Sequence, residues 1–380
     1  MTIWWHVYPL GFLGAEREAL PPGTPPVHRL PTLVNWLDHL VDLGCDGLAL
    51  GPVFASETHG YDTVDHFTVD SRLGTEEDLV HLVAEASRRG VKVLLDGVFN
   101  HVGRSFPRLE ELGAPGLPVF EGHDRLVTLD HSSPAVTGYV TEVMTYWLER
   151  GVAGWRLDAA YTVPLAFWHA VTARVRARFP GAWLVGEVIH GDYAAYVAKG
   201  GLDSVTQYEL WKAIWSSLND RNLFELAWAL KRHDTMLETF APMTFVGNHD
   251  VTRIASQLDD PRFVEHALVI LLTVGGVPSL YAGDELGMTG VKEHRAGGDD
   301  AIRPAFPERP GPTGPLFDLH RELIALRRQN PWLERASAAV TELRNDFMAY
   351  TVGDRLSVTL DLASGAWRVT VSEVTIQSRT

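Results

Sequence analysis

Four short peptides end apolar runs on a carboxylate or its escort: VLLDGVFNH (93–101), GWRLDAA (154–160), WLVGEV (183–188) and TFVGNHD (244–250). One charged residue after a β-type run is ordinary, but four in succession place Asp96, Asp158, Glu187 and Asp250 where the strands of a parallel sheet would end. Carboxylates meeting at one rim can attack an acetal, one ionised group adding to the sugar carbon while a second, protonated, assists the leaving oxygen. Asp158 and Glu187 fit that division. Arg156 lies two residues before Asp158, on the same face of a strand, where a fixed cation would keep Asp158 ionised. The apolar WLVG before Glu187 would desolvate its carboxyl and raise its pKa toward that of a working acid. Asp250 supplies a third carboxylate for sugar hydroxyls and for a cationic transition state. His101 and His249 are donors suited to hydroxyls.

These residues need a scaffold that brings them together. Strand-like runs recur at Trp4 to Tyr8, Gly47 to Leu50, Lys92 to Leu95, Gly154 to Leu157, Trp183 to Val185, Ser204 to Gln207, Thr244 to Val246 and Val277 to Tyr281. Segments of helical periodicity lie between them, among them 30–44, 75–90 and 136–151, with Gly44, Gly90 and Gly151 at the C-cap positions. Eight β/α units predict a (β/α)8 TIM barrel, whose sites lie at the C-terminal strand ends. The barrel is expected over 1–101 and 131–335. A short lobe, 102–130, is inserted after strand three, where Pro107, Pro115, Gly116 and Pro118 interrupt the pattern. Short alternating strands over 336–380 predict a small C-terminal antiparallel β appendage. The Gly/Pro-rich segment 296–315 after strand eight would shape the same rim, with Asp299, Asp300 and Arg303 as candidate contacts.

Composition bounds the partners. The 380 residues carry a formal charge of −15, with 46 % apolar and 21 % charged residues. That is a globular chain with no basic tract for nucleic acid or an anionic membrane, and with a balance compatible with a neutral, hydroxyl-rich ligand. The N-terminal residues lack the pattern of a signal peptide and no run is long enough to span a membrane, so the expected compartment is cytoplasmic. Cys45, the single cysteine, lies in an apolar stretch and reads as a packed thiol. Oligomeric state leaves no mark in the sequence.

Taken singly, Asp96 or Asp158 would more often be a helix N-cap, Glu187 a member of an ion pair, His101 or His249 a structural histidine, and Asn100 or Asn248 a turn residue. Their conjunction, in order at strands three, four, five and seven, outweighs those readings. DGVFNH, GWRLDAA, GEV and FVGNHD resemble the conserved regions of the α-amylase superfamily, glycoside hydrolase family 13. DGLALGPVF (46–54), HGYDTVDHFTVD (59–70) and GVPSLYAGDELGM (276–288 with Gly275) extend the likeness from about residue 4 to residue 330. The resemblance implies Asp158 as nucleophile, Glu187 as acid/base and Asp250 as transition-state stabiliser. It also implies sugar contacts from Arg156, His101 and His249, an aromatic platform at Tyr61 with Asp62 beside it, and a supporting Asp96.

Two departures from the family pattern matter. Many amylases carry Lys-His where Tyr161 and Thr162 follow Ala160, so the leaving-group side differs here. The short lobe offers no oxygen-rich cluster to join Asn100 around calcium, so no cofactor is required and Asn100 is the one candidate calcium ligand. The expected function is a retaining hydrolase of α-glucosidic bonds in oligosaccharides or α-glucans, through a covalent intermediate on Asp158. An α-glucanotransferase or glucosyl isomerase is the nearest alternative. A non-catalytic relative is disfavoured because all three carboxylates are present. A metal-dependent barrel hydrolase is disfavoured because Arg156 beside Asp158 would repel a divalent cation.

Overall fold

The computed structural model describes residues 2–295 and 297–378. The first residue of the expected rim segment, Ala296, and the last two of the C-terminal appendage lie outside them. Eight parallel strands form the barrel: β1 (Trp4–Val7), β2 (Gly47–Leu50), β3 (Lys92–Gly97), β4 (Gly154–Leu157), β5 (Trp183–Gly186), β6 (Ser204–Val205), β7 (Met243–Thr244) and β8 (Val277–Tyr281). Their spatial order is β6-β5-β4-β3-β2-β1-β8-β7, and a parallel bridge between Thr206 and Met243 joins β6 to β7 and closes the circle. The Ser204 hydroxyl reinforces that seam by donating to the Ala241 carbonyl at 2.8 Å.

Alternation along each strand decides what points inward. Trp4, Ala49, Leu94, Val185, Met243 and Val277 pack together as an apolar floor inside the barrel. Two residues further along three of those strands, the same inward face carries His6, Asp96 and Glu187. The opposite face, with Trp5, Val7, Leu95, Trp155 and Leu184, is buried in the main core under the helices. An apolar plug with a polar rim two residues above it therefore follows directly from strand period.

The helices obey the expected signals. α1 (Glu76–Arg88) opens with a capping box between Thr75 and Asp78, and α2 (Pro134–Glu149) opens on Ser133 with Pro at its first position. Gly44, Gly90 and Gly151 all adopt positive φ just past helix ends, as C-cap glycines should. The segment 30–44 is not one helix but two short ones, Pro31–Val34 and Leu37–Leu43. At the break, Asn35 and Trp36 donate side-chain hydrogen bonds to the Glu308 and Pro307 carbonyls of the segment after β8.

Segment 102–130 forms a small structure of its own, in which Leu126–Thr128 pairs antiparallel with His101–Gly103. Five antiparallel strands, β9 (Ala338–Leu343), β10 (Phe347–Val352), β11 (Leu356–Asp361), β12 (Ala366–Val371) and β13 (Val374–Gln377), make the C-terminal sheet. One face of that sheet packs against the mostly apolar helix Phe263–Thr273, where Thr273 Oγ1 and Tyr350 Oη meet at 2.8 Å. Cys45 is buried, and burial pushes its thiol well above its usual range, as a packed rather than reactive cysteine requires. Among the described residues, no helix is long and apolar enough to cross a membrane.

Candidate active site

Register builds the site. Asp96 on β3 lies directly beside Arg156 on β4, and Arg156 Nη1 donates to both Asp96 oxygens at 2.8 and 2.7 Å. The same guanidinium reaches Asp158 Oδ1 at 3.1 Å and Glu187 Oε1 at 2.7 Å. One buried cation thus gathers three buried carboxylates from three adjacent strands, and each carboxylate raises the affinity of Arg156 for its proton against the effect of burial.

Two expectations about these groups need correction. Arg156 does not hold Asp158 alone, because its charge is divided and its contact with Asp158 is the longest of the set. Burial, followed by the Glu187 charge, pushes the Asp158 carboxyl well above the usual aspartate range, with Arg156 opposing. Asp96 is likewise pushed up by burial against the pull of Arg156. Glu187 is buried, but its setting is not apolar. Its Oε1 accepts from Tyr208 Oη at 3.1 Å as well as from Arg156, and its Oε2 accepts from the Ala159 backbone N–H at 3.0 Å. That N–H is aimed by a left-handed turn at Ala159, φ 45°, an uncommon conformation for a residue with a side chain.

Asp250 faces this group from the end of β7 and is the most open of the four carboxylates, its side chain 30 % exposed. Its Oδ1 accepts from Arg303 Nη2 at 2.8 Å, its Oδ2 lies 3.0 Å from His249 Nε2, and its backbone N–H donates to Asn248 Oδ1. Burial works to raise its pKa, but His249 and Arg303 prevail and hold it well below the usual range. Asp250 therefore stays ionised where Asp158 resists ionisation.

The remaining sequence candidates divide. Tyr61 joins the cluster, its hydroxyl donating to Asp96 Oδ2 at 3.2 Å and contacting His249 Nε2, with its ring parallel to that of His249. His101 is at the same rim, bound through Nδ1 to Asn100 and stacked on Phe120 at 4.6 Å. Burial and the nearby His59 lower its pKa to about 3, so it is a neutral imidazole. Asp62 does not present its carboxylate to the site: it is fully buried and accepts from the Thr58 backbone and hydroxyl, fixing the turn that carries Tyr61. Arg303 reaches the site from the segment after β8, its guanidinium 4.5 Å from the Tyr8 ring centre. Asp299 follows it, bonded to Arg303 at 3.1 Å, whereas Asp300 pairs with the exposed Arg17.

Several site residues escaped the sequence reading. Tyr208, just past β6, binds Glu187 and receives a hydrogen bond from Asn248 at 3.0 Å, so it links two carboxylate-bearing strands. It follows no charged motif, and only its place after the sixth strand could have marked it. His6 was visible as the one polar side chain in the apolar run WWHVY. On the leaving-group side, Tyr161 Oη donates to Glu121 of the inserted segment at 2.7 Å, and its ring meets His190. The Asn100 amide nitrogen faces His101 Nδ1 at 3.0 Å, and the described residues hold no group of three or more His, Cys, Asp or Glu side chains that could hold a metal ion.

A closed (β/α)8 barrel whose C-terminal rim gathers three carboxylates around one guanidinium, with a fourth facing them, is a scaffold for chemistry at an acetal carbon. Residues 27–114 and 119–311 match the family model described as alpha amylase, catalytic domain, and the chain belongs to that family. It is 30 % identical to a maltogenic α-amylase of Bacillus acidopullulyticus over 87 % of this chain, and 30 % identical to a cyclomaltodextrinase of Geobacillus thermopakistaniensis over 89 %. The chain spans 63 % and 64 % of the length of those two relatives. The ligand-free cyclic α-maltosyl-(1→6)-maltose hydrolase of Arthrobacter globiformis has the same fold, with a TM-score of 0.79 at 24 % identity, over 99 % of this chain and 98 % of that one.

Proposed function

We propose that this protein is a retaining α-glycoside hydrolase acting on α-glucosidic bonds of oligosaccharides and α-glucans, with short maltooligosaccharides foremost. The observation that carries this is the placing of Asp158 and Glu187 on the two nitrogens of one guanidinium, with ionised Asp250 opposite. The named activities of the two 30 %-identical relatives support the substrate class. Because Asp158 is pushed up, the Asp158–Glu187 pair keeps a proton to higher pH than ordinary carboxylates would. With a glycosidic oxygen against Glu187, that proton sits on Glu187 and Asp158 is left free to attack.

In the first step an Asp158 oxygen bonds to the anomeric carbon, the bond to the leaving oxygen breaks, and that oxygen takes the Glu187 proton. In the second, water attacks the same carbon as Glu187 accepts its proton, and the bond to Asp158 breaks. Asp250 and His249 hold sugar hydroxyls through both steps, and the Tyr61 ring carries the sugar face. We place the protein in the cytoplasm, where a chain with one buried cysteine folds without an oxidising compartment. Proton NMR of maltotriose early in turnover tests the proposal: the α-anomer appears first, and initial release of the β-anomer would refute double displacement.

A transferase reading has one observation in its favour. The Tyr161–Glu121 bridge stands where many amylases carry Lys-His, and it offers an acceptor sugar an aromatic ring beside a carboxylate. Products longer than the maltotriose supplied would establish it.

A further inference from the structure

His249 is gripped on every side. Its ring plane is within 5° of those of Tyr8 and Tyr61, at centroid distances of 5.7 and 5.6 Å. At its Nε2 edge are Asp250 Oδ2 and Tyr61 Oη. At its Nδ1 edge, 3.1 Å away, is Nε2 of a second imidazole, His6, on the inward face of β1. The two rings meet edge to face at 4.9 Å.

The protons of this line can be counted. Tyr61 has one hydroxyl hydrogen, and the Asp96 carboxylate at 3.2 Å can only accept it. Asp250 Oδ2 can also only accept, so His249 must carry a proton on Nε2 to satisfy it. His6 is buried, and burial above all drives its pKa well below the usual range, so it is a neutral ring with one N–H. His249 Nδ1 is the single hydrogen-bond partner that its Nε2 has among the described residues. A hydrogen on His6 Nε2 completes the chain in one direction: His6 to His249, His249 to Asp250, Tyr61 to Asp96.

We propose that His6 is a positioning residue, whose Nε2–H donates to His249 Nδ1 and so fixes His249 in the tautomer that presents Nε2–H to Asp250. This rests on the proposed roles of His249 and Asp250 at the sugar. Without the donor, a His249 ring carrying a single hydrogen could hold it on Nδ1, and its Nε2 lone pair would then face a carboxylate. His6 also lines a cavity of about 30 Å³ beneath the carboxylates, together with Arg156, Thr206, Tyr208 and Asn248. A leucine of similar volume therefore removes the donor without removing the packing.

The test is nitrogen-15 NMR of histidine-labelled protein with kinetics on maltotriose, for wild type, His6→Leu and His6→Gln. In the wild type His249 shows a protonated Nε2 and an imine-type Nδ1. In His6→Leu that signature is lost or averaged, and kcat falls about tenfold with little change in KM. In His6→Gln, whose amide N–H replaces the donor, both recover to within about threefold. An unchanged His249 spectrum in His6→Leu, or a wild-type proton on His249 Nδ1, overturns the proposal. Should His6→Leu not fold, the wild-type spectrum and the glutamine variant still decide. The spectra need no turnover, so a failure of the hydrolase assignment shows in the kinetics alone and the failure of the His6 role in the spectra alone.

Discussion

Asp158 and Asp250 are the same residue type on one rim, and their surroundings drive them in opposite directions. Asp158 shares a divided cation with two other buried carboxylates and is pushed up, whereas Asp250 lies against both His249 and Arg303 and is held down. The consequence for pH is direct. A nucleophile must be ionised, so an upward-shifted Asp158 moves the acid limb of kcat/KM to a pH above the usual aspartate range. Arg156 opposes that shift, so Arg156→Ala should move the limb to higher pH still and lower kcat by about 10³-fold. Removing one member of a buried ion cluster costs about 3–5 kcal/mol, so Arg156→Lys, which keeps the charge, belongs beside it and should give an intermediate limb. A pH–rate profile whose acid limb is the same in all three proteins would contradict this role. Asp158, Glu187 and Asp250 could be read from the sequence because each charge follows an apolar run. Their ionisation could not, since it depends on how one guanidinium is shared across strands distant in sequence.

At the scale of elements, β4 and the turn after it carry the site. Gly154 opens this strand where a Cβ would lie 1.9 Å from the Trp183 carbonyl oxygen of β5. No side chain fits there, so Gly154→Ala should force the two strands apart, destabilise the protein by at least about 1–3 kcal/mol and displace Arg156 and Asp158 with them. Urea unfolding and activity should both report the loss, and an alanine variant with full activity would show that the strands yield without moving the carboxylates. On the leaving-group side, Tyr161→Phe breaks the bond to Glu121, and the partition between hydrolysis and transfer on maltotriose should change by more than about twofold if that pair reads an incoming sugar through its charge-assisted bond. An identical product distribution would leave the bridge a purely structural tie. The strands and the longer helices were plain from period and capping. The division of segment 30–44 was not, because it comes from Asn35 and Trp36 bonding to carbonyls some 270 residues away in the chain.

Considered whole, the molecule is a barrel with one short insertion beside the site and a sheet behind it. The C-terminal strands were readable from their alternation, but not the surface they cover: the mostly apolar helix Phe263–Thr273, whose Glu265 accepts from Trp367 of the sheet and whose Thr273 meets Tyr350. Among the described residues no group of three or more His, Cys, Asp or Glu side chains could hold a metal ion, and we propose that none is required: activity and thermal midpoint should both be unchanged by exhaustive chelation, within about twofold in rate. Loss of activity that calcium restores would refute that proposal. The overall charge of −15 and the paired arginines at the rim agree with a neutral polyol as the bound species.

Whether a sugar becomes covalently attached to Asp158 is measured most directly with Glu187→Ala and an α-glucosyl fluoride, whose leaving group needs no acid. The first step should then proceed and the second stall for want of a base. Intact mass should show one added glucosyl group, peptide mapping should place it on Asp158, and azide should release it as the α-glucosyl azide. Asp158→Ala should show no adduct and no retained azide product. An adduct on Asp250 or Glu187, or α-azide formed by Asp158→Ala, would contradict the double displacement through Asp158.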